Sequence, residues 1–195
     1  MTRIEGDRVG LRPARPQDAP YLLQWALDPE VARLARGDYP TTLEATLEWL
    51  EQGRKDRYRQ LFIIEGPDGK PIGDIDLHHI AWRSGEAELR IRIGLPGLWN
   101  QGLGTDAVRA ILRYAFSDRH LRRIYLRVLR SNPRAIRCYE KSGFRKEGRM
   151  QVVEEDGSVD ELLLMSVTKD RLQRMQEADP PPAHSHHAPA TAGAR

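Results

Sequence analysis

The sequence contains one cysteine, Cys138, in 195 residues. A single cysteine excludes an intramolecular disulfide and is typical of proteins from a reducing compartment. Long apolar runs are also missing: none approaches the ~20 residues of a membrane-spanning helix, and the N-terminus lacks the apolar core of a secretory signal peptide. We therefore expect a cytoplasmic protein that does not cross a membrane.

Two further absences narrow the kinds of binding site. No Gly-Lys-Ser/Thr tripeptide ends a phosphate-binding loop, and no complete G-x-G-x-x-G motif is present. The C-terminal histidines, His184, His186 and His187, stand among Pro and Ala in a segment without fixed geometry for metal ligands. The sequence predicts neither a standard NTP or dinucleotide site nor a metal site.

The proportions of apolar and charged residues are typical of one folded domain. Apolar residues make up 39% and charged residues 30%, with 31 Lys and Arg against 28 Asp and Glu and a formal net charge of +3. This length supports one domain with a substantial core. We predict a single domain over residues 1–170 and a disordered tail over 176–195, where Pro, Ala and His predominate.

A strand, a glycine-rich turn and a helix follow one another in the middle of the chain. Residues Glu86–Ile93 alternate polar and apolar side chains as a strand does, and apolar residues recur at helical spacing from Leu103 to Ala115. Between them, Gly102 and Gly104 allow crowded or left-handed backbone, so that successive N–H groups and the helix start can converge on an anion. A tight turn without a ligand is the alternative.

A second, shorter helix is marked by its capping residues. Asn132 or Ser131 can cap its start, Pro133 suits its first turn, and Gly143 suits the position after its end. Seven arginines crowd the surrounding segment: Arg119, Arg122, Arg123, Arg127, Arg130, Arg134 and Arg137. This basic cluster fits a phosphate-bearing ligand, whereas nucleic acid is the weaker interpretation because no aromatic interleaving or nucleic-acid motif accompanies it.

With these motifs in this order, the sequence resembles the GNAT superfamily of acyl-CoA-dependent N-acyltransferases. The match is carried by residues 101–105, residues 132–144 and the preceding strand at 88–93, and it extends over residues 8–168. It is closest to the branch that includes the ribosomal-protein N-terminal (alanine/serine) acetyltransferases. Trp99 stands where the family's R/Q-x-x-G-x-G/A loop begins with Arg or Gln.

The order of elements predicted from the patterning is β-α-α-β-β-β-α-β-α-β-β. Together with the resemblance it implies an α/β (α+β) fold in one domain. We expect a mixed, mostly antiparallel central sheet of about seven strands with helices on both faces.

The resemblance implies acetyl-CoA as co-substrate, with its pyrophosphate on the glycine-rich turn. In the family the preceding strand separates from its neighbour, which frees backbone groups for the pantetheine arm and the thioester carbonyl. The cofactor-binding residues implied at the matching positions are Gln101, Gly102, Leu103, Gly104, Thr105, Ile91, Arg92, Ile93, Asn132 and Arg137.

Tyr139 on the short helix is the candidate general acid. A phenol pKa near 10 suits proton transfer to a departing thiolate, and packing against the sheet is the alternative role for this ring. The neighbouring Cys138 raises the question of a nucleophilic thiol, but no histidine lies near it in the sequence. A buried bystander cysteine is the better interpretation.

Glu88 is the candidate general base, acting directly or through water. Asp76 and Glu86 lie on neighbouring strands and are the other candidates. His78 and His79 could relay a proton, although ordinary strand histidines are the simpler interpretation. The need for a base depends on the acceptor, because a lysine-type amine with a pKa near 10.4 costs about 4.6 kcal/mol to deprotonate at pH 7.

We therefore expect an acetyl-CoA-dependent N-acetyltransferase in which a primary amine attacks the thioester directly in a ternary complex. The first expectation for the acceptor is a protein or peptide N-terminal amine. The alternatives are a small amine (an aminoglycoside, an amino sugar or a polyamine), which acidic residues around the acceptor cleft would favour, and a non-catalytic acyl-CoA-binding regulator. A homodimer is compatible with the sequence, which does not decide the oligomeric state.

Overall fold

A computed structural model describes residues 3–35, 37, 39–153, 157 and 159–178. Its strands are β1 Ile4–Glu5, β2 Gly10–Pro13, β3 Gln60–Glu65, β4 Pro71–Ala81, β5 Glu86–Ile93, β6 Arg123–Leu129, β7 Arg145–Val153 and β8 Val159–Thr168. Its helices are α1 Ala19–Leu27, α2 Pro29–Leu34, α3 Leu43–Lys55, α4 Leu103–Ser117, α5 Pro133–Lys141 and α6 Lys169–Ala178, with 3-10 turns at Pro16–Asp18 and Pro96–Leu98.

The strands form one sheet in the order β1-β2-β3-β4-β5-β6-β8-β7. All pairs are antiparallel except β5 and β6, which pair in parallel only at Glu86↔Arg123, Ala87↔Ile124 and Glu88↔Tyr125. Beyond Glu88, no further β5–β6 register pair exists in the described part of the chain, so the two strands diverge towards the end of β5. The divergence leaves an opening in the middle of the sheet.

The predicted mixed, mostly antiparallel sheet with helices on both faces is confirmed, with small differences. The sheet has an eighth strand, β1, whose two residues are too few to show a period. The structure also adds a short helix, α2, between the two helices predicted before β3, and its start is capped by Asp28 through the amides of Glu30 and Val31. The helix α6 reaches Ala178, inside the span predicted as a tail, and the rest of that span lies outside the described residues.

Two apolar layers hold the helices to the sheet. On one face of the sheet, α4 packs a continuous apolar stripe against the strands, because its apolar residues recur at i, i+4 and i+8. The buried residues of this stripe are Leu103, Ala107, Val108, Ile111, Leu112 and Ala115. On the other face, α1 and α3 bury Trp25 and Leu50 against Leu61 and Ile63 of β3. Each fully buried large apolar side chain contributes about 1.5–3 kcal/mol, so burial of this stripe rather than helix propensity supplies most of the stability of α4.

The N-terminal segment is tied to the first turn of α4. The carboxylate of Asp106 accepts hydrogen bonds from the backbone N–H groups of Asp7, Arg8 and Val9 at 3.0, 2.7 and 3.0 Å. Arg8 Nη1 also donates to the carbonyl oxygen of Gln101 at 2.6 Å. The start of the chain and the glycine-rich turn are therefore held by one set of bonds.

No helix among the described residues is both long and apolar enough to cross a membrane.

Gly94, directly after β5, is expected to tolerate no side chain. A Cβ at this position would lie 2.1–2.3 Å from three atoms of the Trp25 indole, which is 1% exposed and has no room to retreat. Gly94→Ala should therefore lower the free energy of unfolding by about 3 kcal/mol, the upper range for overpacking a core. Urea unfolding measures the loss, and Gly148→Ala is the matched control because a Cβ there meets no atom within 4 Å. A parental urea midpoint for Gly94→Ala would contradict this packing.

Candidate active site

The opening between β5 and β6 continues into a cavity bounded by the start of α4 and by α5. Every residue implied as cofactor-binding lines it, together with the candidate acid: Ile91, Arg92, Ile93, Gln101, Gly102, Leu103, Gly104, Thr105, Asn132, Arg137 and Tyr139. Glu88, the candidate base, is not part of the wall. The structure thus brings together two motifs that lie thirty residues apart in the sequence.

The glycine-rich turn presents backbone donors to this cavity. Gly102 is the N-cap of α4 and adopts a left-handed conformation with φ 83°. The first hydrogen bond of the helix runs from Asp106 N to Gly102 O at 3.0 Å. The amides of the residues between them have no intrahelical acceptor, as at every helix start. Arg134, Arg137 and Lys141 stand on the same wall, so amides, helix dipole and cationic side chains favour an anionic group here.

Trp99 has a structural role at the first position of this loop. Its indole Nε1 donates to the carbonyl oxygen of Ile93 at 2.9 Å, which joins the loop to the end of β5. The guanidinium carbon of Arg134 lies 3.4 Å from the centre of the Trp99 ring, a cation–π contact that positions the arginine at the cavity. Burial lowers the pKa of Arg134.

Tyr139 is held on the inner face of α5. Asn132 caps the start of this helix through its side-chain oxygen, which accepts from Ala135 N at 3.1 Å, and the Tyr139 ring packs on Phe144 at a centroid distance of 5.7 Å. Burial raises the pKa of Tyr139 well above its ordinary value, and the adjacent Cys138 adds to the rise. The phenol therefore stays protonated at physiological pH, but the raised pKa also makes it a weaker acid than the ordinary phenol on which its candidacy as general acid rests.

The candidate carboxylates are all paired with arginines. Glu88 Oε1 and Oε2 accept from Arg127 Nε and Nη2, both at 2.8 Å, and Glu86 pairs with Arg123 at 3.0 Å. Burial opposes ionisation of Glu88, but hydrogen bonds from Arg127 and the proximity of His78 outweigh it and hold its pKa below the ordinary value. This carboxylate is ionised but only weakly basic.

The carboxylate of Asp76, like that of Glu88, is occupied by ion pairs with arginines. Its carboxylate accepts from Arg59 Nε at 3.0 Å and from Arg90 Nη2 at 3.2 Å. Its neighbour Asp74 pairs with Arg92 at 2.7 Å, and burial raises the pKa of Asp74. Acidic residues do gather beside the cavity, but among the described residues none lines its wall and each of those on β4 and β5 has an arginine partner.

Tyr39 also lines the cavity, although no motif in the sequence marks this residue itself. Its ring stacks on the Arg92 guanidinium, with the guanidinium carbon 3.9 Å from the ring centre, and burial raises its pKa. The Arg92 side chain turns away from the cofactor position implied for this residue: Nε bonds Asp74, and Nη1 and Nη2 are buried without a hydrogen-bond partner among the described residues. Tyr39 lies on an irregular connector, and its contact with β5 is non-local, so no periodic pattern marks it.

Cys138 is expected to be dispensable for the chemistry. Burial raises the pKa of its thiol, although a hydrogen bond with Thr105 acts in the opposite direction, so the thiol is protonated and a poor nucleophile at neutral pH. Cys138→Ala should keep turnover within about threefold of the parent. Steady-state turnover of both proteins measures this, with circular dichroism as the folding control. A hundredfold loss together with an acetylated-enzyme intermediate in the parent would overturn it.

The comparisons with known proteins agree with this geometry. The sequence family described as "Acetyltransferase (GNAT) domain" matches residues 8–145. Spermidine N(1)-acetyltransferase of Escherichia coli (strain K12) is 32% identical over 145 residues, which cover 73% of this chain and 75% of that protein. An uncharacterized N-acetyltransferase, p20, of Bacillus licheniformis is 25% identical over 177 residues, covering 87% and 97%. Among solved structures, spermidine N-acetyltransferase from Vibrio cholerae in complex with CoA and spermine superposes with a TM-score of 0.76 at 23% identity, covering 85% of this chain and 98% of that one.

Proposed function

Since this chain belongs to the GNAT acetyltransferase family and is an acetyl-CoA-dependent N-acetyltransferase, we propose that its acceptor is the primary amine of a small molecule. The observation that carries this choice is the 32% identity, over nearly three quarters of the chain, to a relative named for spermidine acetylation. It favours the small-amine alternative over the peptide N-terminus that the sequence placed first. The relatives reported above do not support the expected placement in the branch of ribosomal-protein N-terminal acetyltransferases.

Acetyl-CoA is proposed to lie across the cavity with its pyrophosphate on the amides of residues 102–105. Arg137 and Lys141 supply charge beside that turn. The pantetheine arm then runs into the opening where β5 leaves β6, and backbone groups of residues 91–93, which β6 does not pair, face it. Because these donors are fixed by the β4–β5 ladder, they can stabilise the oxyanion without reorganising.

The proposed reaction is direct attack of the amine nitrogen on the thioester carbonyl. A C–N bond forms and the C–S bond breaks, and the electron pair of that bond leaves on the CoA sulfur. Tyr139 gives its hydroxyl proton to this thiolate, and the proton lost by the amine goes to Glu88. Because Glu88 does not line the cavity and is bonded to Arg127, the amine's proton is proposed to reach it through an intervening water.

A thiol-release assay with acetyl-CoA tests the acceptor class. The panel contains spermidine, an aminoglycoside, an amino sugar and a peptide with a free N-terminus. At least one small amine is expected to release CoA with a kcat/KM about tenfold or more above that of the peptide. Preference for the peptide would contradict the small-amine proposal, and acetyl-CoA binding without CoA release from any amine would support the regulator.

The charge of the cavity wall calls for one more comparison between acceptors. The described residues that line the cavity include arginines and no carboxylate. None of them could attract a polycation such as spermidine by its charge. Comparing spermidine with a monoamine of similar length separates the two cases. A salt-dependent preference for spermidine would place its charge recognition outside the described wall.

A further inference from the structure

Two consecutive histidines on β4 lie side by side instead of on opposite faces. In a regular strand, successive side chains alternate between the two faces of the sheet. Here the β4–β5 register shifts between His78 and Ala81, and His79 takes a left-handed backbone conformation with φ 50°. The imidazole centroids of His78 and His79 are consequently only 4.4 Å apart.

A carboxylate completes the group from the neighbouring strand. Glu88 pairs with His78 in the β4–β5 register, and its Oε2 lies 3.7 Å from His78 Nε2 and 3.4 Å from His79 Nδ1. The three ligand atoms all lie within 4.8 Å of one another. Ligands about 2.0–2.1 Å from a tetrahedral Zn²⁺ are separated by about 3.3–3.4 Å, so small side-chain rotations bring these atoms to a common ion.

The state of His78 favours a ligand. The residue is 6% exposed, and its Nε2 has no hydrogen-bond partner among the described residues. A buried polar nitrogen without a partner is uncommon and calls for an explanation.

The neighbouring charges are compatible with an ion at this place. Arg127 contacts both oxygens of Glu88, but its side chain is half exposed and can release Oε2 while Nε stays on Oε1. A donor on the second oxygen of a ligating carboxylate is a usual way of orienting it. Asp76 adds negative charge near His78, partly offset by Arg90. The His79 side chain is 69% exposed, which leaves solvent access for a water as the fourth ligand.

From this arrangement we propose that His78, His79 and Glu88 bind a divalent transition-metal ion of the zinc type. Two imidazole nitrogens and one carboxylate oxygen with an open position suit Zn²⁺ or Co²⁺, whereas Mg²⁺ and Ca²⁺ prefer sets of oxygen ligands. The proposal departs from the expectation of no metal site, for which only the histidines near the C-terminus were weighed as ligands. The sequence does not reveal this candidate site, because Glu88 comes next to His78 and His79 only through the pairing of β4 with β5.

The test is calorimetric titration of the chelator-treated, full-length protein with Zn²⁺, and with Mg²⁺ as the comparison ion. His79→Asn is the informative variant: asparagine tolerates positive φ and therefore keeps the bulge, but it removes one ligand. The parent is expected to bind one Zn²⁺ at this site, and His79→Asn should bind it at least about tenfold more weakly. Mg²⁺ should give no saturable binding. Unchanged thermal melting of the metal-free variant shows that the fold is retained.

A second variant deals with the other histidines. The triple substitution His184→Ala, His186→Ala and His187→Ala should leave this Zn²⁺ binding unchanged, whereas its loss in that variant would assign the metal to the C-terminal segment and overturn the proposal. Absence of saturable Zn²⁺ binding in the parent, or parental affinity in His79→Asn, would overturn it as well. None of these measurements depends on acetyl transfer, so they can fail without the proposed function failing. Glu88 cannot be a metal ligand and a proton acceptor at the same time, so its proposed role as base applies to the metal-free protein.

Discussion

Tyr139→Phe is expected to lower turnover by about 10²–10⁴ at saturating substrates while acetyl-CoA affinity stays within about twofold of the parent. The substitution removes one hydroxyl and keeps the ring that packs on Phe144, so α5 should remain in place. The lost proton transfer occurs only as the thiolate departs, and its effect therefore falls on kcat rather than on binding. Entry of water to deliver the proton would place the loss at the low end of this range.

The measurement is turnover against acetyl-CoA concentration for parent and variant, with binding determined separately by calorimetry. Tyr114→Phe is the matched control: it also removes a hydroxyl from a largely buried ring, but Tyr114 bonds Gln60 and does not line the cavity. Its turnover should equal that of the parent below its melting temperature. Parental turnover in Tyr139→Phe would end the general-acid assignment, and a selective loss of acetyl-CoA binding would move Tyr139 from the chemistry to the cofactor site.

Gly104→Val is expected to raise the acetyl-CoA dissociation constant at least about tenfold. A Cβ at Gly104 would stand 3.7 Å from Ile93 and 3.9 Å from Cys138, ordinary contact distances, so the protein without ligand has room for it and should fold. Both of these neighbours line the cavity. The branched side chain would therefore occupy the space through which a pyrophosphate approaches the amides of the turn.

Calorimetric titration with acetyl-CoA measures this effect, after melting has shown that the variant is folded. Gly97→Ala is the control from the same connection, since a Cβ there meets no atom within 4 Å and Gly97 is not on the cavity wall. It should bind acetyl-CoA as the parent does. A folded Gly104→Val with parental affinity would contradict the placement of the pyrophosphate on this turn.

The parts of the site that sequence could predict are those determined by local pattern. The alternation of β5, the helical spacing of α4 and the Asn132 cap of α5 are contained in short windows, and each element lies where it was expected. Their convergence on one cavity was implied by the resemblance, because the order and spacing of the two motifs fix how the sheet brings them together. Tyr139 follows from the same spacing.

The parts that sequence could not predict depend on partners distant in the chain. Glu88 was singled out as a base, but nothing local shows that Arg127 lies against it across the β5–β6 pair. The resemblance implies that Arg92 contacts the cofactor through its backbone, and it says nothing of the side chain. That side chain pairs with Asp74 and stacks on Tyr39. Such contacts are set by strand register and by the irregular connector before α3, neither of which has a period.

The bonds between Asp106 and the amides of residues 7–9 have a practical consequence for handling this protein. A gene shortened to begin at Gly10 would delete all three donors, and the carboxylate in the first turn of α4 would lose the hydrogen bonds that stabilise its charge. That charge would stand one residue from the amides proposed to hold a pyrophosphate, where it repels the ligand. The residue at which a cloned gene begins is therefore expected to affect acetyl-CoA binding at the proposed pyrophosphate site, although almost a hundred positions of sequence separate the two.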